Sequence, residues 1–220
     1  MRSAVRRSRL AGPALLVAGA LVLAGCSDPA TGDDGHDHAE APAVVEAPED
    51  RYAGLDLAEP YRRPSFTLTD TTGASYDFKA VTAGRPTLLF FGYTNCPDVC
   101  PTTMADVAVA LRGLDPALAV QVQVVYVTTD PGFDTPEVLG EYLDRFDADL
   151  PTAFVGLTGE QEVIDQAQLA AGVPLAEDEG RLHSSELLLY GTDDEAPVAF
   201  DAGNTARDIA ADLRLVAGTA

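Results

Sequence analysis

Cysteine is scarce in this chain: three among 220 residues, too few for a scaffold held together by many disulfides. Basic residues are scarce as well. Fourteen Lys and Arg stand against 35 Asp and Glu, a formal charge of −21 at pH 7, and that balance argues against nucleic acid as a partner. Histidine occurs only at 36, 38 and 183. Beyond the N-terminus no run is long and apolar enough to span a bilayer, and no internal repeat is visible.

Two of the three cysteines stand four residues apart, in Gly92-Tyr93-Thr94-Asn95-Cys96-Pro97-Asp98-Val99-Cys100-Pro101. The apolar run from Pro86 to Tyr93 reads as a strand buried on both faces. Pro101 suits a first helical position, and Met104, Val107, Ala108 and Leu111 continue a helix from Thr102 to Gly113. Both thiols are therefore expected at or just before a helix N-terminus, where the dipole favours thiolate. A structural disulfide here would close a very short loop and gain roughly 2 kcal/mol from chain entropy. Metal binding or redox chemistry is the better use of the pair. The C-x3-C spacing is one residue longer than the C-x-x-C of disulfide oxidoreductases.

At the N-terminus, Arg2, Arg6, Arg7 and Arg9 precede an apolar stretch, Leu10 to Ala24, of about fifteen residues against the roughly 20 a spanning helix needs. The run ends Leu23-Ala24-Gly25-Cys26, which resembles the lipobox of bacterial lipoproteins and implies cleavage before Cys26 and a lipid on it. Residues 1–25 are thus read as a lipoprotein signal peptide. Loss of its four arginines leaves the mature chain more acidic still. Residues 26–60, rich in Ala, Pro, Gly, Asp and Glu, read as a flexible acidic tether. Within it, His36-Asp37-His38 is either a transient site for Cu(II) or Zn(II) or simply part of an acidic linker.

Residues 61–220 read as one domain. Asp70-Thr71-Thr72-Gly73 separates two short strands, an N-terminal hairpin. Strands at Pro86 to Tyr93 and Val120 to Thr129 then alternate with helices, the second starting at the Thr135-Pro136-Glu137 cap. A short strand near 153–156, a helix at 160–171, a second hairpin (187–190 with 197–200) and a last helix capped by Asn204 or Thr205 complete the chain. The order predicts an α/β, thioredoxin-like three-layer fold with an extra N-terminal β-hairpin. In such a fold the loop carrying His183 faces the cysteine loop. Two thiolates and an imidazole form a soft donor set suited to copper.

Together these residues resemble the Sco/SenC copper chaperones. The block from Gly92 to Thr103 looks like their signature, Asp130 to Glu137 resembles a second block, Gly156-Leu157-Thr158-Gly159 a third, and His183 falls where the family carries a histidine ligand. The resemblance covers about Phe66 to Leu215. It implies copper, as Cu(I) or Cu(II), held by Cys96, Cys100 and His183 and delivered to the CuA site of cytochrome c oxidase subunit II. It also implies thiol–disulfide chemistry at the same two cysteines, exchange with other copper chaperones or thiol reductants, and a place outside the membrane, anchored through Cys26. Asp130 and Asp134 match acidic positions of the second block. They would shape the loop beside the metal or touch the partner, with capping of the following helix an equal alternative for Asp134. The chain departs from the family in having Asn95 where a histidine is common, and in the acidity of the segment after His183.

Three readings follow. The first is a copper chaperone without catalytic turnover. The second is a membrane-tethered thiol–disulfide oxidoreductase or thiol peroxidase, with Cys96 attacking and Cys100 resolving. The third is a structural lipoprotein whose two cysteines merely form a disulfide.

Overall fold

The computed structural model of the protein describes residues 51–175 and 184–218. One sheet of eight strands organises them, in the order β1-β8-β7-β4-β5-β6-β2-β3. At its centre β4 (Thr87–Gly92) runs parallel to β5 (Gln123–Thr128), and β5 parallel to β6 (Val155–Thr158). On the other side of β4, β7 (Leu187–Tyr190) pairs antiparallel to it, and β8 (Glu195–Phe200) antiparallel to β7. The edges are β1 (Leu55–Arg62), antiparallel to β8, and the hairpin of β2 (Thr67–Asp70) and β3 (Ser75–Asp77), joined through β2 to β6.

Helices cover both faces, and the strand sequences show why. All six residues of β4 are buried, so its apolar run is continuous. Leu88 and Phe90 point to a core with α2 (Val99–Arg112), α4 (Pro136–Asp147) and α6 (Ala206–Ala217). Leu89 and Phe91 point to the opposite core, with α1 (Phe78–Thr82) and α5 (Gln161–Ala170). This is the expected three-layer α/β arrangement. No helix of the described residues is long and apolar enough to cross a membrane.

Several boundaries differ from expectation for local reasons. Helix α2 begins at Val99, after Asp98, whose side chain makes no capping hydrogen bond, so Pro101 is its third residue and Cys100 already lies inside the first turn. A short helix, α3 (Pro116–Ala119), takes the chain ahead of β5; Asp115 caps it through the Ala117 N–H at 2.8 Å. The largest difference is at the start. Residues 55–60, expected in the tether, belong to the sheet as β1, and Tyr52 is buried ahead of it. The buried carboxylate of Asp212 on α6 accepts the Ala53 and Gly54 N–H groups, both at 2.9 Å, and pins this entry.

A second buried tie surrounds Arg63. Its guanidinium donates to Asp194 at 2.8 Å, to the Thr82 and Thr87 hydroxyls at 2.9 and 3.0 Å, and to the carbonyls of Arg85 and Gly191 at 3.0 and 2.7 Å. It also lies 5.1 Å from the centre of the Tyr190 ring. Five donors meeting five acceptors explain how a cation is tolerated at 3 % exposure.

Candidate functional site

The parallel strands β4 and β5 end side by side, with Gly92 opposite Thr128. Two loops leave there: one carries Cys96 into α2, the other carries Asp130 and Asp134 into α4. Loops at the C-terminal ends of parallel strands are where α/β sheets place their sites. The Thr129 N–H donates to the Gly92 carbonyl at 2.7 Å and holds the two loops together at their roots.

Asp134 makes the tighter connection. It is fully buried, and its carboxyl accepts the Thr94 N–H at 3.0 Å, the Thr94 hydroxyl at 2.5 Å and the Thr128 hydroxyl at 2.6 Å. Its own N–H donates to the Asp130 carbonyl at 2.9 Å. Asp134 therefore fixes the stretch two residues ahead of Cys96. The alternative of capping α4 is corrected: the cap is Thr135, whose hydroxyl accepts the Val138 N–H at 3.3 Å. Asp130 is half-buried and its backbone N–H donates to the Thr128 hydroxyl at 3.0 Å.

Cys96 and Cys100 are both reduced in this structure, but their surroundings differ sharply. Cys96 is half-buried in the loop. Its N–H donates to the Tyr93 carbonyl at 3.2 Å, and its sulfur accepts the Cys100 N–H at 3.4 Å. Burial pushes its thiol up, yet the N–H groups of Asp98 and Cys100, the Cys100 side chain and the Val99 N–H outweigh that push. The net pKa lies below the ordinary thiol value. This is the helix N-terminus acting as expected. For Cys100 the expectation of a favoured thiolate is overturned. Its side chain is fully buried, and burial, with the neighbouring Cys96, pushes its thiol up to about 12. One turn into the helix is deep enough for desolvation to exceed the dipole.

Two tyrosines complete the surroundings, and sequence reasoning assigned neither of them to the site. Tyr126 on β5 and Tyr142 on α4 pack with ring centres 5.7 Å apart and planes tilted by 53°, and a Cβ at Gly92 would crowd both the Tyr126 hydroxyl and the Cys100 sulfur. The sequence signal was faint: a tyrosine inside the Val-rich run of β5 reads as core. Among the described residues no three His, Cys, Asp or Glu side chains converge on one point. His183 lies outside the described residues, as do Cys26, His36 and His38. What is described nearby is strand β7, whose Leu187 pairs with Phe90. The chain therefore enters β7 at the same end of the sheet from which the cysteine loop leaves.

A half-buried sulfur with a lowered pKa beside a buried one, on a three-layer α/β sheet, defines a thioredoxin-like protein with a two-thiol site. Such a pair can bind a soft cation or cycle between dithiol and disulfide. The chain belongs to the SCO1/SenC family, whose residue pattern matches residues 57–218. A relative from Stutzerimonas stutzeri, known by name alone as copper-binding, is 37% identical over 156 residues, covering 66% of this chain and 74% of the relative. The human mitochondrial SCO1 homolog is 30% identical over 165 residues, covering 71% of this chain and 53% of that protein. Against its mitochondrial relatives the chain spans about half of their length or less. Among solved structures, copper-bound ScoI from Bradyrhizobium japonicum superposes with a TM-score of 0.57 at 32% identity, covering 71% of this chain and 99% of that one.

Proposed function

We propose that this protein is an extracytoplasmic copper chaperone that holds one copper ion, as Cu(I) or Cu(II), between Cys96, Cys100 and His183 and delivers it to the CuA site of cytochrome c oxidase subunit II. The observation that carries the reading is the pair Cys96 and Cys100 at the head of α2, two soft donors on a loop braced by Asp134. Family membership and a similar protein solved with copper bound support it. The Phe90–Leu187 register supports His183 as third ligand, because β7, which follows His183 closely in sequence, starts at the cysteine end of the sheet. Residues 1–25 serve as signal peptide and Cys26 as the lipid anchor, with the acidic segment before the folded domain as tether. Copper would then pass by stepwise ligand exchange, each bond to an incoming donor of the partner replacing one of the bonds to Cys96, Cys100 and His183 until none remains, with no change of oxidation state.

The asymmetry of the two thiols favours linked redox chemistry as a second reading. Cys96, with its lowered pKa, attacks one sulfur of a partner disulfide and the partner's other sulfur leaves as a thiol. Cys100 then attacks Cys96, releases the second partner thiol and closes the Cys96–Cys100 disulfide. That oxidation removes both sulfur donors, so copper occupancy follows redox state.

The test is copper stoichiometry of the reduced full chain beside Cys96→Ser, Cys100→Ser and His183→Ala. One copper in the parent, none in either serine variant and weakened binding in His183→Ala is the expected pattern. Full retention in His183→Ala removes the third ligand. A parent that takes up no copper while reducing a protein disulfide moves the function to the oxidoreductase.

A further inference from the structure

A cavity of about 130 Å³ opens beside the cysteine loop, room for one side chain. Asp98, two residues past Cys96, stands on its rim at the start of α2, with Asp106 further along the helix and Asp201 just past the end of β8. The buried side chains of Leu187, Phe200 and Ile209 supply its apolar wall. The sheet register explains the place. Leu187 pairs with both Phe90 and Phe200, so β7 begins and β8 ends where β4 releases the cysteine loop.

Charge and shape together define what such a cavity accepts. No basic side chain of the described residues lines it. The ion pairs of those residues lie elsewhere, at Arg62–Glu195, Arg63–Asp194 and Arg112–Asp149. Asp98 and Asp201 are exposed, while Asp106 is half-buried, where an unpaired carboxylate is less well solvated. The loop after β8 is held in shape by its own bonds: the Asp201 carboxyl accepts the Gly203 N–H at 2.7 Å, and the Asn204 side chain accepts the Asp201 N–H at 2.9 Å. An apolar wall under an acidic rim fits a lysine or arginine, whose methylenes lie on the wall while the cationic head meets the carboxylates. Copper transfer and thiol exchange alike require the partner's sulfur within bonding distance of Cys96. A surface that approaches so closely also covers the mouth of this cavity.

We propose that the cavity is a docking pocket for a lysine or arginine that the exchange partner carries beside its reactive cysteine. The inference rests on the reading of Cys96 as the point of exchange. Seating that side chain orients the partner's sulfur toward Cys96, and the acidity of the rim selects partners whose reactive cysteine lies in a basic surface.

The experiment presents the reduced full chain with two short peptides, each bearing one cysteine as an activated disulfide with thionitrobenzoate. They are alike except for arginines in one where the other has glutamines. The Cys96 sulfur bonds to the peptide sulfur and thionitrobenzoate leaves as the thiolate. Loss of the free Cys96 thiol is read by quenching and peptide-resolved mass spectrometry, and the ratio of the two rates cancels any change in the thiol itself. At low salt the arginine peptide reacts about tenfold faster with the parent, and the preference shrinks as salt is raised. In Asp106→Asn the ratio falls about threefold. Ala202→Trp, which fills the cavity and keeps every charge, brings it close to one. Glu162→Gln, on α5 across the sheet, removes the same charge as Asp106→Asn and keeps the parent ratio. A ratio near one in the parent, an equal fall in Glu162→Gln, or a full preference in a folded Ala202→Trp overturns the inference. The copper count of the parent keeps the two readings apart: copper bound with a ratio near one removes the pocket alone, and no copper with the preference intact removes the copper reading and keeps the pocket.

Discussion

Treated at pH 8 with a small haloacetamide, the reduced, metal-free protein should label at Cys96 long before Cys100. The size of the gap follows from the two environments. With its thiol pushed up to about 12, Cys100 carries thiolate in roughly one molecule in 10⁴ at pH 8, against about a quarter of molecules for an ordinary thiol of pKa about 8.5. A more basic thiolate is also a better nucleophile. With a Brønsted slope of about 0.4–0.5, that recovers about 25- to 60-fold and leaves Cys100 about 40- to 100-fold slower than an ordinary thiol. Full burial slows it further, because the reagent must wait for an opening of α2. Cys96 moves the other way, its pKa lowered, so its labelling rate should reach half-maximum at a lower pH than a free cysteine does. Peptide-resolved mass spectrometry reads the sites separately. Denaturant should bring the two rates within about twofold of each other, since an unfolded chain has no buried thiol. Equal rates in native buffer, or Cys100 labelled first, would refute the reasoning.

Replacing Asp134 by Ala leaves two hydroxyls and one N–H without their acceptor in a buried place, which should cost about 2–4 kcal/mol in denaturant unfolding, with Asn recovering part of it. Arg63→Met strands the Asp194 carboxylate and four other acceptors, and about 3 kcal/mol or more of stability should be lost in the same assay. Asp212→Ala frees the entry to β1, so amide exchange at Ala53 and Gly54 should quicken while that of β4 amides stays slow. Unchanged exchange at those two amides would show that β1 is held by its pairing with β8 alone.

The central sheet was legible because both of its faces are buried. Leu88 to Phe91 and Val124 to Val127 are short apolar runs of the kind a doubly covered strand carries, and Thr135-Pro136 announces the start of α4. Strand β1 was illegible for the opposite reason. Its side chains are largely exposed, Leu55 at 62 %, so it shows no alternation, and its pairing comes from backbone bonds to β8. The cysteine pair was plain from spacing, but not the difference between its members. Placing Cys100 at the helix boundary rather than within the first turn hid its burial. The brace of Asp134 on Thr94 joins residues 40 positions apart, through tertiary structure alone, and no local pattern encodes it.

The most direct test of the copper site is the absorption fine structure at the copper K-edge of the Cu(I)-loaded full chain, with Cys96→Ser and Cys100→Ser alongside. Two sulfur scatterers and one imidazole in the parent, with copper lost or its sulfur shell reduced in each variant, is the predicted result. A shell of nitrogen and oxygen alone, or a sulfur count that neither substitution changes, would contradict the assignment of Cys96 and Cys100 as the ligands.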